Sequence, residues 1–130
     1  MAGFSSRVRK LVRTRAGGGD LYLACCECCG IWLGEHGGQI QHIVARGMGG
    51  CKLPVIGSLA NGAALCGLTA QDGCHGLAER RDPVMRERGF WLQRGTDQRL
   101  MPMTLFGGVV VWRSETEARY LYEAPEGVAA

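Results

Sequence analysis

The sequence predicts a small α+β domain, stapled by cysteine as much as by its core, and three features lead there. At 130 residues the chain is long enough for one domain and one modest core. Its 21 glycines, about twice the ~7% average share, call for many turns and close backbone approaches and exclude a long helical bundle. Its seven cysteines are far more than so short a chain ordinarily carries. With 46% hydrophobic and 21% charged residues the composition is that of a globular protein, which excludes wholesale disorder and fibrous repeats.

The elements follow from the punctuation. Residues 7–15 read as a short helix stopped by Gly17 to Gly19, because Val8, Leu11 and Val12 fall at i, i+3 and i+4 on one face. Residues 21–30 form a cysteine-rich turn, and 39–44 are strand-like between glycine clusters. A long loop over 47–58 contains Pro54. A helix starts near Cys74 and runs to about Arg81; Asp82 and Pro83 then open another as N-cap and first helical residue, ending before Gly89. Residues 90–94, 108–113 and 119–123 are β-prone, the last two as a hairpin with Trp91, Trp112, Tyr120 and Tyr122 in its core. No repeat or low-complexity linker divides the chain. The expected domain is therefore single: a basic helix and glycine turn over 1–20, a cysteine-bearing core over 21–89, a β-rich extension over 90–124 and a ragged tail from 125 to 130.

Charge is uneven. Residues 1–16 hold Arg7, Arg9, Lys10, Arg13 and Arg15 with no acid, giving +5, against ten bases and twelve acids, −2, in the remainder. Arg7, Arg9, Lys10 and Arg13 surround the side of the helix away from Val8, Leu11 and Val12. Such a face is either simply solvated or contacts phosphates. The strongest uncharged apolar run, 101–112, is well short of the ~20 residues needed to span a bilayer, and the basic N-terminus leads into glycines and cysteines in place of a secretory core. A soluble protein of the reducing cytoplasm is expected, with no membrane partner.

In that compartment, cysteines at metal-ligand spacing read as thiolate ligands before disulfides, and an odd count fits full pairing poorly. The run Cys25-Cys26-Glu27-Cys28-Cys29-Gly30 contains two overlapping C-x-x-C pairs, and Cys66 and Cys74 follow some forty residues on. Four thiolates from two such knuckles suit tetrahedral Zn²⁺. The register of Cys26 and Cys29 is preferred over Cys25 and Cys28 because Gly30 lets the chain turn away directly after it. Cys25, Cys28 and Cys51 are then left as small buried side chains.

The three histidines are His36, His42 and His75. His36 lies in a glycine-flanked stretch and reads as a loop residue. His42 lies on the expected strand, Asn61 in the connecting loop, and His75 directly after Cys74 at a helix start. Together with C-x-x-C-G at 26–30, Q-H-I-V-A-R-G-M-G-G at 41–50, L-A-N at 59–61, L-C-G at 65–67 and G-C-H-G at 73–76, this order resembles the HNH (His-Asn-His) endonuclease family, in particular its small phage-encoded branch. The resemblance spans about 7–100. It implies a ββα-metal (His-Me finger) fold on a zinc-knuckle scaffold and a metal-dependent phosphodiesterase that cuts or nicks double-stranded DNA in a bacterial host's cytoplasm.

The family's roles fall on matching positions. His42 matches the general base, since a neutral imidazole takes a proton from water at neutral pH. His75 matches a ligand of one catalytic divalent cation, Mg²⁺, Mn²⁺ or Ni²⁺, and Glu79, at i+4 on the same helix face, is a candidate further ligand. Asn61 matches the residue whose side-chain amide braces the strand that carries the base. Arg46 is expected to reach a phosphate, beside Arg7, Arg9, Lys10 and Arg13. One position departs from the pattern: the residue before the base, usually His or Asp and a metal ligand, is Gln41, a neutral and poorer donor. In a regular strand, 41 and 42 also point to opposite faces, so both serve one site only if the strand ends or bulges there. The departure leaves an alternative, a catalytically silent zinc-containing DNA-binding module working beside a phage terminase or other packaging protein.

Overall fold

The computed structural model describes residues 4–36, 38–44, 59–69 and 71–126, apart from the side chains of residues 35 and 36. It is an α+β domain. The expected phosphate contact Arg46, the loop 47–58 with Cys51 and Pro54, and the end of the tail lie outside the described residues.

Helix α1 (Ser6–Ala16) begins where the Ser5 hydroxyl accepts the Val8 N–H at 3.1 Å, and it stops at Gly17. Val12 is fully buried, with Val8 and Leu11 packed beside it, so the i, i+3, i+4 stripe is the buried face. Arg15 extends that stripe to i+7 from Val8 and goes inside with it. The +5 of the N-terminal segment is therefore not all surface charge.

After a 3₁₀ turn (Leu21–Leu23) and the cysteine run comes a single helical turn, α2 (Leu33–His36), where His36 was expected in a loop. Strand β1 (Gly38–His42) is shorter than the 39–44 expected. Beyond it the backbone leaves the ladder, so that Val44 bridges Leu92 in parallel while Leu92 N–H reaches the Ile43 carbonyl at 2.8 Å. The β-prone segment 90–94 is spent in that one bridge.

A 3₁₀ turn over Leu59–Asn61 leads into β2 (Gly62–Cys66), which pairs antiparallel with β1 from Gly38↔Cys66 to His42↔Gly62. Gly-Ala-Ala-Leu-Cys has no β-branched or aromatic residue, and nothing in it announces a strand. Its small side chains are needed because Gly62 to Leu65 are all buried. Helix α3 (Gly73–Glu79) packs on both strands. Helix α4 (Pro83–Glu87) starts as expected: the Asp82 carboxylate accepts the Val84 and Met85 N–H groups at 3.1 and 3.3 Å.

The C-terminal third forms a second sheet in the order β3 (Met103–Thr104), β4 (Val110–Arg113), β5 (Tyr120–Leu121), all antiparallel. The β4–β5 hairpin was expected; β3 was not. Tyr122, expected in the hairpin core, is 70% exposed, and Trp91 packs on the turn between α3 and α4, with its indole N–H on the Asp82 carbonyl at 2.8 Å.

One buried polar cluster joins these parts. Glu27, in the middle of the cysteine run, accepts Arg15 Nε at 3.1 Å, Arg15 Nη2 at 2.8 Å, the Ala64 N–H at 2.8 Å and the Tyr120 hydroxyl at 2.6 Å. Arg15 also donates to the Leu59 and Gly62 carbonyls, and Arg113 to those of Ala60 and Gln98. Burial is the largest influence on Arg113, and with repulsion from Arg15 it holds this guanidinium down to about 9.

Candidate metal centre

The thiols of Cys26, Cys29, Cys66 and Cys74 converge, every sulfur within 4.8 Å of the others. Tetrahedral Zn²⁺ with Zn–S of ~2.3 Å places sulfurs ~3.8 Å apart, and Cys29 Sγ to Cys66 Sγ measures 3.7 Å. The four could hold a metal ion such as zinc. The register is that of Cys26 and Cys29. Cys28, in the competing register, is outside that quartet: its sulfur meets the Met85 sulfur at 3.5 Å and receives Arg88 Nη1 at 3.0 Å, while the same arginine donates to the Cys28 and Thr104 carbonyls.

Local geometry builds both halves. In the first, the Cys29 N–H points at Cys26 Sγ at 3.5 Å, and Gly30 N–H closes the turn on the Cys26 carbonyl at 2.8 Å. Gly30 has φ of +84°, and a Cβ there would lie 2.8 Å from the Phe106 ring. In the second, Cys74 N–H points at Cys66 Sγ at 3.4 Å. The seven residues between these cysteines are folded back by Asp72, whose carboxylate accepts the Leu68 and Thr69 N–H groups at 3.2 and 2.7 Å and the Thr69 hydroxyl at 2.8 Å. Those bonds, the backbone N–H of Thr69 foremost, hold Asp72 below the usual carboxylate range. Gly73, at φ of +62°, brings Cys74 back because a Cβ there would collide with the Cys66 carbonyl. A seven-residue spacing thus does the work of a two-residue knuckle.

The thiols differ in acidity. A hydrogen bond from Cys74 pulls the Cys26 thiol down to about 5 against its burial, with backbone N–H groups assisting. Donating that bond and another to Cys28 pushes Cys74 far up, and burial pushes Cys29 up to about 11. Four thiolates so close repel one another strongly, and a dication removes that barrier, drawing off the remaining protons.

Asn61 is fully buried and clamps the chain just past His42: its Oδ1 accepts the Val44 N–H at 2.8 Å and its Nδ2 donates to the Val44 carbonyl at 3.1 Å. His42 stacks on Phe4 with centroids 3.9 Å apart. The β1–β2 register runs unbroken through His42, so the pleat sends Gln41 and His42 to opposite faces. Phe4 and Val12 of α1 take the His42 face, and α3 packs on both strands. Gln41 is buried; its Nε2 donates to the His42 carbonyl at 3.1 Å, and its Oε1 has no hydrogen-bond partner among the described residues.

His75 is buried at the head of α3, with Nδ1 3.3 Å from the Thr69 carbonyl and Nε2 3.5 Å from Glu79 Oε1. Its Cβ lies 3.4 Å from the position a Cβ on Gly67 would take, beyond the Cys66 end of β2, whereas His42 pairs with Gly62 at the other end. At ~3.3 Å per residue those ends are roughly 13 Å apart along the strand. Arg7, Arg9 and Lys10 are exposed on α1; Arg13 is half-buried, with Nη2 3.5 Å from the Gly38 carbonyl.

Glu27, Arg15, Tyr120, Arg113 and Arg88 brace the cysteine run and its surroundings, a role not read for them in the sequence. Two of them carry a sequence signal: Arg15 continues the apolar stripe of α1, and Glu27 is the one acid inside the cysteine run. Among the described residues, no helix is long and apolar enough to cross a membrane. Compared with protein-family models, curated proteins and solved structures, the chain matches none of them.

Proposed function

We propose that this protein is a metal-dependent DNA endonuclease of the HNH type, its core held by one zinc ion on Cys26, Cys29, Cys66 and Cys74. The observation that carries the reading is the Asn61 clamp. A buried asparagine with both amide atoms on Val44 does what the middle residue of that motif does, fixing the backbone two residues beyond the candidate base. His42 would take the proton from the attacking water. The donors for a catalytic cation are His75 and Glu79, one helical turn apart, while Gln41 sits toward the other end of the ribbon, opposite Ala63. The unpartnered Gln41 oxygen suits a hard cation, and one carboxylate in the set is few. A divalent cation bound there supplies Lewis-acid stabilisation of the charge that develops on the phosphate. Arg7, Arg9 and Lys10 on the outer side of α1 bind phosphates without regard to sequence.

A second reading, a zinc-stapled DNA-binding module without cleavage, is favoured by three observations: Phe4 covers one face of the His42 ring, Gln41 and His42 diverge, and the His42 and His75 ends of the ribbon lie roughly 13 Å apart. Supercoiled plasmid incubated with Mg²⁺, Mn²⁺ or Ni²⁺ separates the two. Nicking by wild type that falls at least ~10²-fold in His42→Ala, with duplex affinity and zinc content retained, supports the endonuclease. Intact plasmid with all three metals, in a protein that binds DNA, selects the module.

A further inference from the structure

Arg81 and Arg86 place their guanidinium carbons 5.9 and 5.5 Å from the centroid of one ring, Trp91. The indole is itself fixed by its hydrogen bond to the Asp82 carbonyl. Arg81 is the one described non-glycine residue with positive φ, at +57°, and there its side chain reaches Trp91 from the turn that ends α3. Arg80, beside it, is anchored by Nη1 on the Gln71 carbonyl at 2.8 Å. All three arginines are exposed, and none pairs with a carboxylate among the described residues.

The acids nearby are committed elsewhere. Glu79 faces His75, and Asp82 caps α4. Only Glu87 is left, next to Arg86 and therefore ~100° round the helix from it. The result is two planar cations over one anchored aromatic ring, with no carboxylate partner among the described residues.

We infer that the turn between α3 and α4 is a second phosphate-binding surface for duplex DNA, distinct from α1, with Arg81 and Arg86 as its paired contacts and Arg80 at its edge. Guanidinium suits a phosphate because its forked donors meet two oxygens at once. From their distances to one centroid the two groups are no more than about 11 Å apart, and duplex DNA offers a phosphate every ~3.4 Å of axis on each strand, so both can engage one backbone. The inference rests on the reading of the chain as acting on DNA. It adds a direction to it: the turn follows directly on His75 and Glu79, so a strand held there runs past those side chains.

The test is binding of a fluorescein-labelled 20-base-pair duplex, without divalent metal, across a salt series. Arg81→Gln/Arg86→Gln should weaken binding about tenfold and flatten the slope of log K against log salt by about two, since each phosphate contact contributes ~0.9. Zinc content and circular dichroism should be unchanged because both side chains are exposed. Wild-type tryptophan emission should shift on adding duplex, and Trp91→Phe should lose that shift. Unchanged affinity and slope in the double variant overturn the inference, as does a wild type that binds phosphatidylserine vesicles in preference to duplex, or binds no duplex at all. Plasmid cleavage is scored separately: a protein that cuts while the double variant binds normally loses this surface and keeps the endonuclease reading. A protein that never cuts but needs both arginines to bind keeps the surface and loses that reading.

Discussion

Replacing Glu27 by alanine tests the most concentrated interaction in the fold. The carboxylate is 1% exposed and accepts four hydrogen bonds from three parts of the chain, α1, β2 and β5. Its loss leaves the Arg15 guanidinium buried with no counter-charge, and Arg113 buried beside it. Breaking a buried pair by removing one partner costs about 3–5 kcal/mol, against a total stability of roughly 5–15 kcal/mol for a domain. With a urea dependence of ~2 kcal/mol per molar, the unfolding midpoint of Glu27→Ala should fall by about 2 M with zinc in excess. The assay is urea unfolding followed by far-ultraviolet circular dichroism. Arg15→Met combined with Glu27→Leu removes both charges of the pair and should recover part of the loss, because the penalty comes from the stranded cation. A Glu27→Ala midpoint within about 0.5 M of wild type would refute the reasoning.

Three further outcomes follow from the same geometry. Elemental analysis should find about one zinc per chain, lost in Cys29→Ser and retained in Cys25→Ser, since the Cys25 sulfur stands outside the quartet. Asn61→Ala strands the buried Val44 N–H and carbonyl and should cost about 1–3 kcal/mol in thermal unfolding, with any plasmid cleavage falling further than stability does. Asp72 is held below the usual carboxylate value, so its stabilisation is present above about pH 3.9 and is lost only as pH falls through the lowered folded value. At pH 7 it is fully present, and Asp72→Ala should release zinc to a chelator faster than wild type there.

What was legible in the sequence was whatever short-range chemistry dictates. Val8, Leu11 and Val12 at helical spacing gave the buried face of α1, Asp82-Pro83 gave the start of α4, and the glycine after Cys29 selected the thiol pair that the fold brings together with Cys66 and Cys74. These depend on neighbours within a turn or two, so the local pattern is enough. The tertiary structure decided the rest. Gly-Ala-Ala-Leu-Cys became β2 because a fully buried strand between packed elements needs small side chains, and its own residues carry no β preference. Arg15 looked like surface charge until Glu27, twelve residues on, and Tyr120, ninety-three residues beyond that, met it inside. The opposite facing of Gln41 and His42 likewise rests on the pairing of β1 with a strand some twenty residues away. Burial and charge compensation are sums over residues distant in the chain, and no local reading of spacing contains them.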